Sequence, residues 1–265
     1  MPFTLAHVAS VVPLGRLQQP LLVSAALVIG CMVPDLAYFI PQLTYFADSH
    51  SLLGLLLFCL PFGIVTYFCF YLLVAPFFTT LCSASLQRRL PQLWRAGKQP
   101  DASAFGIVLS ILLGAATHLL WDAFTHDHGF IVVMFDVLAT PLFTLGGYTV
   151  YIYKVLQHGS TIVGLGLLLY WGKQWFNNTA NSQPVDVQET LSRRQRIVLI
   201  AGLFVPPTMI GLYQGVIAIN TSEATVTQLQ RFIGRAIISS GTAFIVWLLL
   251  CGIAWRVYLV RSRLK

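Results

Sequence analysis

The chain has 265 residues, of which 57% are hydrophobic and only 9% charged, with a mean hydropathy of +0.76. Soluble domains carry about 25% charged residues, so this composition excludes an ordinary water-soluble globule. The net charge of +7 is concentrated: Arg88, Arg89, Arg95 and Lys98 form one group, Lys173, Arg193, Arg194 and Arg196 a second, and Arg256, Arg261, Arg263 and Lys265 a third. A basic balance confined to three loop or tail regions is a topology signal and excludes nucleic acid as the natural partner.

In chain order, Thr4 is placed to cap a short helix ending near Pro13. Pro20 suits the first turn of a second helix, which Pro34 interrupts just before Asp35. The first helix is about ten residues long, too short to cross a bilayer; re-entrant and bundle-packed placements both stay open. After a polar break from Gln42 to His50, uncharged runs follow at Leu52–Leu81, Ala104–Trp121, Gly159–Gly172, Ile197–Ile219 and Ala236–Trp255. Most reach or approach the roughly 20 residues that span hydrocarbon as a helix, and Gly159–Gly172 does so with its flank to Phe176. Between Asp127 and Gly147 the chain is apolar but broken by Pro141 and paired glycines, the pattern of an interfacial or partly inserted segment. Tyr148–Gln157 is expected to be a short aromatic-rich helix, and Asn177–Ser192 is polar and aperiodic, a linker.

The fold expected is therefore all-α: a polytopic helical transmembrane bundle of about five or six spans, plus a short N-terminal helix and an interfacial segment. Residues 1–176 form a membrane-embedded core that holds every histidine, residues 177–192 a polar cytoplasmic linker, and residues 193–265 an accessory transmembrane helical pair. No internal repeat and no second soluble domain is evident. The N-terminus has no basic n-region, since the first basic residue is Arg16, so it is not an ordinary secretory signal. Cys31, Cys59, Cys69, Cys82 and Cys251 show no paired metal spacing and read as small core hydrophobes.

The positive-inside rule assigns the three basic regions to the cytoplasmic face. The span from Ser51 then starts outside, which puts His50 there, and the next span carries His118, Asp122 and His126 toward its outer end. Lys154 and His158 follow on the same face. Steps of four residues advance about 40° around a helix, so His118, Asp122 and His126 share one narrow face. Ionisable groups near a bilayer are costly unless they pair or bind something, and His and Asp are ligands of zinc-like ions. Eight residues of helix rise about 12 Å, too far for His118 and His126 to share one ion. Either Asp122 bridges two metals, or one pair binds and the third residue orients it from behind. His50, His7 and Asp35 are the candidates to complete the set. The plain rival for each is a buried hydrogen-bonded pair that fixes packing, or for His50 an interfacial cap. His128 and Asp127 suit a solvated turn, and Lys154 and His158, four apart, could hold an anion or merely touch lipid phosphate.

The segments MPFTLAH, GCMVPDLAYF, SHSLLGLLLF, THLLWDAFTHDHG and YKVLQHGSTIVG resemble an uncharacterised bacterial integral-membrane family, the domain of unknown function 4184, over about the first 175 residues. More loosely, the chain is similar to bacterial membrane-bound metal-dependent hydrolases related to zinc-dependent phospholipase C, although it lacks most of the linear His-rich signature of the soluble enzymes. That resemblance implies a zinc-type cluster on His7, Asp35, His50, His118, Asp122 and His126. The expectation is a metal-dependent hydrolase of the bacterial plasma membrane. It would act at the outer face on a phosphoester such as a phospholipid or lipid-linked phosphate. The cofactor is a divalent ion, zinc first and manganese second. Asp122 and His126 carry the catalytic expectation, and Lys154 and His158 the substrate phosphate. The alternatives are a transporter or proton relay, and a purely structural membrane protein.

Overall fold

The computed structural model describes residues 4–16, 21–45, 47–91, 94, 97, 101–145, 148–179, 191–219 and 225–263. Pro20, Arg95, Lys98, Lys265 and most of the 177–192 linker lie outside the described residues. Helices dominate, and among the described residues five are long and apolar enough to cross a membrane: Leu52–Leu81, Ala104–Met134, Ile152–Asn178, Arg193–Ile217 and Thr225–Arg261. Two shorter apolar helical stretches, Thr4–Gly15 and Ser24–Phe39, precede them. The chain is thus an all-α multi-pass membrane protein.

The first unit comprises residues 1–67 and 101–174. Helix α1 (Thr4–Arg16) passes through Pro13, which removes one hydrogen bond without ending the helix. Helix α2 (Ser24–Met32) gives way at Pro34 to a 3₁₀ turn, Val33–Asp35, and to the short α3 (Leu36–Phe39). A valine precedes α2 and cannot cap it, so Ser110 accepts from the Val23 N–H at 2.8 Å. The long helix α4 (Leu52–Leu81) starts from Ser51, whose Oγ accepts from the Gly54 N–H at 2.9 Å.

Helix α2 packs on α6 (Ala104–Thr125), which follows the short α5 (Ala84–Gln87) of the second unit. Two glycines set how closely they approach. A Cβ on Gly30 would lie 2.2 Å from the Ile111 carbonyl oxygen, and one on Gly114 would lie 2.2 Å from that of Leu27. Only hydrogens fit there, the device by which small residues bring membrane helices together. Val8, Val11, Leu27 and Cys31 form the buried apolar cluster that joins α1 to α2. Cys31, Cys59, Cys69, Cys82 and Cys251 are all free thiols.

Beyond α6 come α7 (Phe130–Met134), a 3₁₀ turn at Asp136–Ala139, and an antiparallel hairpin of β1 (Pro141–Leu145) and β2 (Tyr148–Tyr151). The expected helix over Tyr148–Gln157 is therefore corrected. Tyr148-Thr-Val-Tyr151 is a run of aromatic and β-branched residues that suits a pleated strand, paired through Thr144 opposite Thr149, and α8 (Ile152–Asn178) begins only after it.

The second unit comprises residues 68–100 and 175–265. Helix α9 (Arg193–Ile217) starts with a capping box in which Ser192 and Gln195 exchange hydrogen bonds. It pairs with α10 (Thr225–Arg263) through a stacked Phe204–Phe244 contact and a bond from Trp247 Nε1 to the Gly202 carbonyl at 2.9 Å. Leu203 joins Phe77 and Leu81 in this unit's apolar cluster.

Candidate metal centre

Each of four polar side chains reaches the same point by a different device. His118 and Asp122 lie one turn apart on α6, so helical geometry alone sets them side by side. The Gly30 and Gly114 contacts bring the end of α2 against them, and the His118 Nδ1–H donates to the Cys31 carbonyl at 2.8 Å. Pro34 then turns the chain so that Asp35 points back at His118. His50 comes from the loop before α4, where Cys59 Sγ donates to the Ser49 carbonyl at 3.5 Å and Ser49 Oγ meets His50 Nδ1 at 2.9 Å.

The result is a group of Asp35, His50, His118 and Asp122 whose ligand atoms all lie within 4.8 Å of one another. Asp35 Oδ1 is 3.5 Å from His50 Nε2 and 3.5 Å from His118 Nε2. Asp122 Oδ2 is 3.5 Å from His50 Nε2 and 3.3 Å from His118 Nε2. A tetrahedron with metal–ligand bonds near 2.1 Å has edges of about 3.4 Å; the four histidine–carboxylate separations are of that size, and the remaining pairs lie within 4.8 Å. The two Nε2 atoms are buried without a hydrogen-bond partner, and two carboxylate oxygens face them. With Nδ1 committed elsewhere, each imidazole turns Nε2 to the facing carboxylates, where it carries a proton shared with them or, once deprotonated, presents a lone pair to a cation. The group can hold a metal ion.

What surrounds the four supports the same conclusion, because ligands of metals are held by further hydrogen bonds on their remaining atoms. Thr4 Oγ1 donates to Asp35 Oδ2 at 2.5 Å. Thr4, expected as a helix cap, is instead spent on holding this carboxylate. Asp122 Oδ1 receives His7 Nε2–H at 3.0 Å and lies 3.3 Å from His126 Nδ1. His7 also stacks on His118, with ring centroids 4.0 Å apart. On α8, Lys154 Nζ donates to Gln157 Oε1 at 3.2 Å, and Gln157 Nε2 lies 3.3 Å from His126 Nε2. Lysine only donates, so the Gln157 amide must donate to His126 Nε2, and His126 carries its proton on Nδ1, aimed at Asp122.

The structure thus brings His7, Asp35, His50, His118, Asp122 and His126 together around one point, and splits them by role. His118 and His126 address opposite oxygens of Asp122, as the rise along the helix requires. Lys154 reaches the edge of the set through Gln157, whereas His158 is exposed and bonds to none of these residues. Asp127 and His128 are exposed in the turn after α6. Ser49 and Gln157 are missing from the sequence reading; neither residue type nor spacing marks them, and only their burial beside histidines does. The side chains of Asp35 and His118 are 4% and 0% exposed, whereas those of His50 and Asp122 are 25% and 12% exposed, although the His50 Nε2 atom itself is buried. Burial lowers the pKa of His50, and the Asp122 and Asp35 carboxylates raise it by more, to about 9.

No curated protein matches the chain, and no solved structure does. The match to a known family runs well past residue 175 and takes in most of the α9–α10 pair, and on that match over residues 1–253 the chain belongs to the family described as Domain of unknown function (DUF4184).

Proposed function

We propose that this protein is a membrane-embedded, metal-dependent hydrolase of a phosphoester, with its site at the outer face of a bacterial plasma membrane. The observation that carries the reading is the four-atom group of Asp35, His50, His118 and Asp122 within 4.8 Å of one another, with the His50 and Asp122 side chains partly exposed. A structural zinc takes four protein ligands and a catalytic one keeps a position for water; here the partly exposed side chains of His50 and Asp122 form the edge at which a water or substrate oxygen would join the ion or displace a ligand. When bound, a divalent ion supplies Lewis acidity at a phosphoryl oxygen and acidifies a water molecule. Zinc satisfies the His and Asp donor set. Manganese, which prefers more ligands and more oxygen, is second.

The chain's own residues would do the rest. His7 and His126 hold Asp122 by its outer oxygen and keep its other oxygen turned to the ion. His126, 24% exposed at the side chain, stands at the edge of the group, where exchanging its Gln157 contact at Nε2 for a leaving group would let it take part in proton transfer. Lys154, tied in through Gln157, places a positive charge for the phosphate.

The test is metal content by mass spectrometry, with phosphate release from lipid phosphates, on wild type and Asp122→Ala purified in parallel. About one zinc or manganese per chain in the wild type, lost in the variant together with phosphate release, is the expected outcome. Metal without hydrolysis of any phosphoester would leave a transporter or structural metal protein. No metal in either folded protein would retire the metal reading altogether.

A further inference from the structure

A groove of about 670 Å³ runs between α6 and α8, beside the metal centre. Its walls are almost wholly apolar, with Leu120 and Phe124 from α6 and Val155 and Leu156 from α8. Its size falls within the usual range for small-molecule sites, about 300–1,000 Å³, and both wall helices belong to candidate membrane spans. The two helices run antiparallel here, because Trp121 Nε1 donates to Ser160 Oγ at 3.2 Å while His126 meets Gln157. One end of the groove therefore lies at Thr125 and Val155, next to His126, Gln157 and Lys154. The groove and the metal centre share a wall: Trp121 lines the groove, directly precedes Asp122, and sets its ring 5.6 Å from that of His7.

Resting on the hydrolase reading, we propose that this groove seats the hydrocarbon chain of a phosphate-headed lipid, with the phosphate turned toward the metal centre and Lys154. An apolar trough that ends at a cation-binding group and a lysine complements a molecule with one apolar chain and one anionic head. A phosphoester without a chain would leave the trough empty. Gly159 makes the room, since nothing lies within 4 Å of where its Cβ would be. Gly166, on the same helix and outside the groove lining, has the same freedom.

The full chain in phosphatidylcholine bilayers is exposed to two photoreactive lipids, both with a diazirine in the acyl chain. One carries a non-hydrolysable phosphonate head and the other a phosphocholine head. The phosphonate lipid is expected to label residues 117–125 and 155–160 about tenfold more than the phosphocholine lipid, a difference of about 1.4 kcal/mol. Gly159→Phe should abolish that labelling and Gly166→Phe should leave it intact. Equal labelling by the two heads would show ordinary bilayer lipid in the groove and overturn the proposal, as would labelling that Gly159→Phe does not change. Binding is read without turnover, so selective labelling in a protein that releases no phosphate would keep the groove assignment and retire the hydrolase. Hydrolysis of chainless and long-chain phosphoesters alike, unaffected by Gly159→Phe, would do the converse.

Discussion

The sharpest chemistry rests on single atoms. Thr4 Oγ1 donates to Asp35 Oδ2, so Thr4→Val removes one outer hydrogen bond and keeps the side-chain shape. Losing such a partner lowers metal affinity about 10–100-fold, and a competition titration against a zinc-binding dye should show it. Gln157 is the better test of the α8 side, because it is 1% exposed and bridges Lys154 to His126. Gln157→Leu leaves the half-buried His126 Nε2 without its donor and Lys154 without its acceptor, a loss of about 1 kcal/mol of stability, read as a lower thermal midpoint even in chelator.

His50 adds a pH dependence whose sign can be worked out. Its folded pKa of about 9 lies above the ordinary histidine value of 6.5, so in chelator its stabilising contribution is complete below about 6.5 and fades as the pH rises through about 9. A metal must displace that proton. The stabilisation gained on adding zinc should therefore grow from pH 6.5 to pH 9, the opposite of the trend in chelator. Thermal unfolding with and without zinc across that range checks both arms, and His50→Gln should flatten the difference.

At the scale of elements, the close approach of α2 and α6 is what assembles the site. Gly114→Leu would drive a side chain into the Leu27 carbonyl, 2.2 Å from the Cβ position. Overpacking of this kind costs about 1–3 kcal/mol or more, and here it also moves the end of α2, with the Cys31 carbonyl and Asp35, away from His118. The expected outcome is loss of bound metal together with a lower thermal midpoint, whereas Gly166→Leu, in open space, changes neither. Among the elements, most helices were legible as charge-free runs of spanning length. The β1–β2 hairpin was not. Its apolar residues and glycines fit an interfacial segment equally well, and only the pairing of Thr144 with Thr149 settles it as a strand pair.

Over the whole molecule, the basic groups at Arg88–Arg89, Arg193–Arg196 and Arg256–Arg263 argue for one cytoplasmic face. Asp127→Cys, in the exposed turn after α6, should react with a membrane-impermeant maleimide in intact spheroplasts, and Ser192→Cys should react only after lysis. The reverse pattern would place the metal centre on the cytoplasmic side.

The sequence by itself determined that the chain crosses a membrane several times as helices, because runs of some 20 apolar residues have no other stable place for their backbone groups. It also singled out the six side chains that the fold brings together, because ionisable groups beside hydrocarbon are costly unless they pair or bind something. Only the tertiary structure decided how those six divide. Which oxygen of Asp122 faces His118 and which faces His126, that Thr4 holds Asp35, and that Gln157 joins the set all depend on the contacts of α1, α2 and α8 with α6. Those contacts span up to 115 residues of chain, as between His7 and Asp122, and helical periodicity says nothing about partners beyond the next turn.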